Sequence, residues 1–231
     1  MTPALTGFIG IIAFLVLMML RMPIAVAMGL VGVVGFSYLN STEAAVKVLS
    51  SDFFNSFASY NLSVIVTFIL MGFLAYHAGI GAQLYAFAYK AVGHLPGGLA
   101  MASEVACAIF GAVCGSNTAT CATIGSIALP EMKKYGYSDR LATASVAAGG
   151  AIGILIPPSV IFVIYGVATE QSIARLFLAG IIPGILLTIA YMITIYIMAK
   201  RNPQLAPARP GPRPGIGELF AALRGGLFEV V

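Results

Sequence analysis

The chain has 231 residues, 60% of them hydrophobic and only 9% charged, with a formal net charge of +4. An ordinary soluble domain carries roughly 25% charged residues, so this composition, with a mean hydropathy of +0.99, excludes that class and points to an integral membrane protein in a lipid bilayer. The positive excess forms no basic stripe with interleaved aromatics, which excludes nucleic-acid binding.

Met1 to Leu20 has no positive leading region and no cleavage signal, so it reads as a first span and not as a signal peptide. Residues 1–60 read as scaffold. Thr2 to Leu20 crosses, Arg21-Met22-Pro23 turns, and Ile24 to Leu39 returns. The more polar stretch 40–60 places Val46, Leu49, Phe53, Phe54 and Phe57 at roughly helical spacing, which suits the membrane interface. In 61–94, Leu62 to Tyr76 is a third span, Gly79 and Gly81 break it, and Ala82 to Val92 is a short interfacial helix.

Residues 95–168 are expected to carry the function. From Val105 to Pro130 no residue is charged, yet Ser116, Asn117, Thr118, Thr120, Thr123 and Ser126 are polar. The 35 residues from Pro96 to Pro130 would make a helix about 52 Å long, against a hydrocarbon core of about 30 Å. Two half-helices meeting at Gly115-Ser116-Asn117 fit better and predict a re-entrant hairpin over 96–130, followed by a charged loop over 131–140. Gly111 and Gly115 form a G-x-x-x-G, expected to bring the hairpin arms close. The second apolar run, 141–168, is interrupted by Gly149, Gly150, Gly153 and Pro157-Pro158 and predicts a broken helix. Irregular backbone at membrane depth survives only where protein buries it or where it lines a cavity, and in transporters such breaks mark substrate and ion sites.

Residues 169–201 hold the last span, Ile173 to Ala199, with Pro183 as a kink and Lys200-Arg201 as its stop. Residues 202–231 begin as a proline-rich cytoplasmic linker, with a further helix expected from Glu218. The fold class is therefore an all-α membrane protein with a re-entrant hairpin and a broken helix. With this topology ten of the twelve Lys and Arg share one side, leaving Lys47 and Arg175 on the other. The first side is then cytoplasmic and the N-terminus periplasmic.

A set of ordered motifs resembles a known family. They are His94-Leu-Pro-Gly-Gly98, Gly115-Ser116, Ile124-Gly125-Ser126, Pro130-Glu-Met-Lys-Lys-Tyr-Gly-Tyr137, Ile156-Pro-Pro-Ser159, Tyr165-Gly166 and Leu176-Phe-Leu-Ala-Gly-Ile-Ile-Pro-Gly184. Together they resemble the large permease subunit of tripartite ATP-independent periplasmic (TRAP) transporters. The resemblance implies that the chain is a first inverted repeat plus the linker to an absent second one. It implies sodium-driven uptake of an organic anion, such as a C4-dicarboxylate, across the bacterial inner membrane. It also implies two partners, a small membrane subunit and a periplasmic substrate-binding protein. Asn117-Thr118 after Ser116 is similar to the hairpin tips of related sodium/dicarboxylate symporters, which keeps a carrier without a binding protein as the alternative.

In that family the hairpin tip and the facing break form a sodium site. Here the resemblance assigns Na+ to Ser116, Asn117, Thr118, Gly153 and Pro157, the last two within a break that leaves helix carbonyls unpaired. Ser116 and Asn117 also suit capping of the half-helices, and the two roles are compatible. Half-helix N-termini attract anions without fixed charge, so Thr120, Pro158 and Ser159 are the candidate substrate contacts. Glu104 lies eight residues past Pro96. It can reach the interface or pack the hairpin, and proton or ion coupling is the other reading. The three cysteines, Cys107, Cys114 and Cys121, make no disulfide framework and, with His77 and His94, no transition-metal spacing, so packing is their expected role. An intramembrane enzyme using Ser116 as nucleophile would need a base, and no His or Lys is placed at that depth.

Overall fold

A computed structural model describes residues 2–58 and 60–207. The prolines beyond Pro207 and the helix expected from Glu218 lie outside the described residues. Every element among those described is α-helical. The chain divides into two compact units, Met1–Tyr60 and Asn61–Val231.

The first unit holds α1 (Pro3–Met19), α2 (Ile24–Leu39) and α3 (Thr42–Phe57). Pro3 opens α1, where a missing N–H costs nothing. α1 ends in a Schellman motif: Arg21 N–H donates to the Met18 carbonyl and Met22 N–H to that of Leu17. Arg21 takes the left-handed conformation (φ 64°) that glycine usually supplies there, and Pro23 prevents the helix from resuming. Ser41 caps α3 by accepting from Ala44 N–H at 3.1 Å, and Glu43 in the first turn suits the dipole. α1 and α2 pack on each other but leave Phe8, Leu15, Val34 and Tyr38 exposed, as surfaces facing lipid or protein neighbours would be.

The second unit follows with α4 (Tyr60–His77), α5 (Ile80–Val92), α6 (Gly98–Cys114), α7 (Asn117–Lys134), α8 (Asp139–Ile152), α9 (Val160–Ala168) and α10 (Ile173–Arg201). α6 and α7 are separated only by Gly115, in the left-handed region at φ 60°, and Ser116. Contacts with α8 fix their directions. Along α6, Cys107, Gly111 and Gly115 meet Gly149, Gly153 and Pro158 in that order, so α6 runs with α8. Along α7, Asn117 and Cys121 meet Gly150 and Gly125 meets Val146, so α7 runs against it. The two arms are antiparallel, and their outer ends lie together: Leu99 N–H donates to Tyr137 Oη at 3.3 Å.

Gly81 lies inside α5 and only Gly79 interrupts the chain there, and three boundaries further on also differ from the sequence reading. Pro130 does not end the second arm. It removes one N–H, the one that would ordinarily bond the Ser126 carbonyl, but α7 continues to Lys134. The expected loop 131–140 shrinks to residues 135–138, and Ser138 caps α8 by accepting from Leu141 N–H. Gly149 and Gly150 do not break the second apolar run either. α8 passes through both, and the break begins at Gly153.

The core of this unit sits between the arms and α8. Phe110, Leu99, Ile124, Met132 and Ile152 are fully buried. In lipid such burial acts through close packing and not through expulsion of water. α10 holds the break from behind: a Cβ on Gly180 would meet the Leu155 carbonyl at 2.6 Å, and one on Gly184 would meet Ile156 Cγ1 at 2.5 Å. Pro183 lies within α10 between these two glycines.

Candidate functional site

The hairpin tip and the break in 153–159 touch backbone to backbone. A Cβ on Gly115 would overlap the Pro158 carbonyl oxygen and come within 3.3 Å of Ser159 Cα. Gly115 also sits at positive φ, so two independent constraints require glycine. One turn back, a Cβ on Gly111 would overlap Gly153 Cα. The G-x-x-x-G pair therefore packs the first arm on the break, and not on the second arm as its spacing suggested. Gly153 in turn accepts Thr120, whose Oγ1 would be 2.6 Å from an added Cβ.

Polar groups surround this junction. Thr120 is fully buried and shares a hydrogen bond with Cys114 Sγ at 3.1 Å. Ser159 is fully buried, and its Oγ has no hydrogen-bond partner. It precedes α9 at the N-cap position but makes no cap bond. Ser116 is half-buried and caps α7 by accepting from Ala119 N–H at 3.4 Å, so the capping role is realised. That bond leaves its hydroxyl donor and one lone pair for another partner. Pro157 and Pro158, joined by a cis peptide, are half-buried.

Asn117 is exposed, one helical turn away from the junction along α8. Its Oδ1 accepts from Cys121 Sγ at 3.3 Å and abuts Gly150. Thr118 is exposed as well. The two expected sets thus interleave. Thr120, Pro158 and Ser159, assigned to substrate, lie at the junction with Gly153 and Ser116, while Asn117 and Thr118, assigned to sodium, face outward.

The donor set suits a small hard cation. An orphaned buried hydroxyl costs about 1–3 kcal/mol, and a cation bound at Ser159 Oγ would recover that cost. Carbonyls of the break and the hydroxyls of Ser116 and Thr120 are further oxygen donors of the kind such ions take. Among the described residues no group of three or more His, Cys, Asp or Glu could hold a metal. The cysteines pack: Cys107 lies against Gly149, and Cys114 against Gly72 of α4.

Two features escaped the sequence reading. One is the pairing of Gly111 with Gly153, since a small-residue spacing names a face but not what lies opposite. The other is how completely Glu104 is enclosed: of the readings the sequence left open, its full burial excludes a solvated side chain and leaves packing or coupling.

Comparison with known proteins agrees with the motifs. The family described as "Tripartite ATP-independent periplasmic transporter, DctM component" matches residues 11–221. The C4-dicarboxylate TRAP transporter large permease protein of Pseudomonas aeruginosa is 39% identical over 187 residues, 81% of this chain and 44% of that protein. Its counterpart in Vibrio cholerae is 39% identical over 185 residues, 80% of this chain and 40% of that protein. The isethionate TRAP transporter permease of Oleidesulfovibrio alaskensis is 36% identical over 200 residues, 87% of this chain and 30% of that protein. The chain spans about half or less of the length of these relatives. All three are named as transporter permeases, which sets aside an intramembrane enzyme. The chain is a membrane protein that belongs to the DctM family of tripartite ATP-independent periplasmic transporters.

Proposed function

We propose that the chain forms the first half of the large membrane subunit of a sodium-coupled secondary transporter. The transporter imports an organic anion delivered by a periplasmic binding protein and works with a small membrane subunit in the inner membrane. The observation that carries this reading is the meeting of the two breaks at Gly115 and Pro158, beside the unpartnered Ser159 hydroxyl. A sodium ion held there by Ser116, Ser159 and break carbonyls ties the hairpin to the broken helix. Its loss loosens both, which couples ion and substrate binding without direct contact between them. The exposed Asn117 and Thr118 at the start of α7 then face the substrate, where the helix N-terminus favours an anion. The relatives named above are named for C4-dicarboxylates and isethionate, so a small carboxylate or sulfonate is the substrate class.

In this reading the hairpin re-enters from the cytoplasm and the N-terminus is periplasmic. Single cysteines at Gly97 and Lys133, in a background without native cysteines, should both resist an impermeant thiol reagent added from the periplasm. Labelling of one alone removes the re-entrant hairpin. The function is tested with the complete transporter in proteoliposomes. Uptake of a C4-dicarboxylate or isethionate should require both an inward sodium gradient and the binding protein. Uptake that needs sodium but no binding protein would favour the symporter alternative. Residues 1–231 alone should not transport, because alternating access in such folds uses two repeats around one site.

A further inference from the structure

Glu104 has no role in the site just described, yet among the described residues it is the one carboxylate that is fully buried. Neither of its oxygens has a hydrogen-bond partner. Oε2 lies 3.1 Å from where a Cβ on Gly149 would be, so the carboxyl rests on the bare backbone of α8. It lines a cavity of about 440 Å³ between α6, α8 and α10, whose wall also carries Arg140, Ser145, Tyr191, Thr194 and Leu205. Arg140 is exposed and Glu104 is fully buried, so the wall of this cavity runs from an exposed cation at the start of α8 to the enclosed carboxyl.

The groups around the carboxyl decide what it can bind. From α8 the charged group on the cavity wall is Arg140, and from α10 the titratable one is Tyr191. On α6 itself Cys107 lies beside the same glycine. α5 directs Tyr85 to the Leu99 carbonyl and α7 directs Cys121 to that of Val146, and neither helix contributes to the cavity wall. A dehydrated metal cation would need several oxygens, and here one carboxyl faces a largely apolar wall. Burying an ionised carboxylate without a partner is far costlier than burying the neutral acid. A proton is the ligand that matches this environment.

We propose that Glu104 is a proton-binding site of the transporter, loaded and emptied through the cavity between α6, α8 and α10. With the proton bound, the neutral acid lies against Gly149 and the first hairpin arm stays packed on α8. Without it, the carboxylate must leave Gly149 for water or for Arg140, and the arm loosens. The contact between arm and broken helix therefore responds to pH at a place separate from the tip, and the assignment stands independently of the sodium reading.

The test uses the complete wild-type transporter in membranes, with neither substrate nor sodium, and the apolar reagent dicyclohexylcarbodiimide at neutral pH. The acid adds across the carbodiimide, its oxygen bonding to carbon and its proton passing to nitrogen, so only a protonated carboxyl reacts. An ordinary glutamate is protonated at that pH to less than about one part in a hundred. Peptide mass spectrometry should therefore find on the order of a hundredfold more adduct at Glu104 than at the exposed Glu170. The Glu104 adduct should decline as the pH is raised. The Glu104→Gln transporter, which keeps the shape of the neutral acid, should lose the stability difference that the wild type shows between acidic and alkaline buffer. Adduct at Glu104 no greater than at Glu170 overturns the proposal, and so does a folded Glu104→Gln variant with the wild-type dependence on pH. The labelling arm needs no variant, so a misfolded Glu104→Gln leaves it decisive.

Discussion

Glycine serves opposite purposes in the two units of this chain. In the first, Gly7, Gly29, Gly32 and Gly35 face open space, and an added methyl would touch nothing within 4 Å. In the second, Gly111, Gly115, Gly149, Gly150 and Gly153 all stand where a methyl would strike backbone, a thiol or a polar side chain. The same residue leaves a smooth helix surface in one region and permits backbone contact between two broken segments in the other. Composition alone cannot separate these uses, because in lipid both surfaces are apolar and rich in small residues. What separates them is what lies opposite: those five glycines face the backbone or side chains of another segment, and the four of the first unit face none.

The largest expected effect comes from Gly115→Ala. It combines strain at φ 60° with a methyl against the Pro158 carbonyl. A loss of about 2–4 kcal/mol is expected, with uptake abolished. Thermal unfolding of the purified transporter and proteoliposome uptake check both. A mild effect would mean that tip and break do not touch in the working protein. Gly150→Ala should be gentler, at about 1–2 kcal/mol, because the methyl meets the side chains of Cys121 and Asn117 and the backbone there keeps a helical φ. Gly32→Ala should be smallest. With open space around it, better helix propensity should stabilise by up to about 1 kcal/mol, with uptake unchanged. If Gly32→Ala instead weakened recovery of the small subunit in pull-downs, the smooth face of α2 would be a subunit contact, and the contrast between the units would need redrawing.

Much of this arrangement was legible in the sequence. The end of α2 at Leu39, the tip at Gly115-Ser116 and the break before Ser159 were all announced by turn and capping residues. Tertiary relations were less legible. Pro130 looked like a terminus because proline lacks an N–H, but one lost bond is tolerated when packing on α8 holds the helix on both sides of it. Gly149 and Gly150 looked like a break, yet they are the face on which both arms lie. Glu104 could have been solvated by sequence distance, and only the packing of its neighbours shows it fully buried. The polar residues near the junction were visible by type, but their grouping was not. Thr120 lies one turn inside α7 and is buried, while Asn117 and Thr118 at its start are exposed, a difference of helical phase that depends on where α8 sits.

The central claim is that an ion joins the two breaks, and the sodium dependence of uptake tests it most directly. Ser116→Ala and Ser159→Ala, made separately in the complete transporter, remove one hydroxyl from each side of the junction. Ser159 Oγ has no partner in the protein, so its removal should leave stability in sodium-free buffer unchanged or slightly higher. Each variant should raise the sodium concentration for half-maximal uptake by roughly tenfold, the equivalent of about 1.4 kcal/mol of lost binding, with unchanged protein level and unchanged affinity of the binding protein. If both variants keep the wild-type sodium dependence, the tip is a capped turn packed on a proline break, and the coupling ion binds elsewhere.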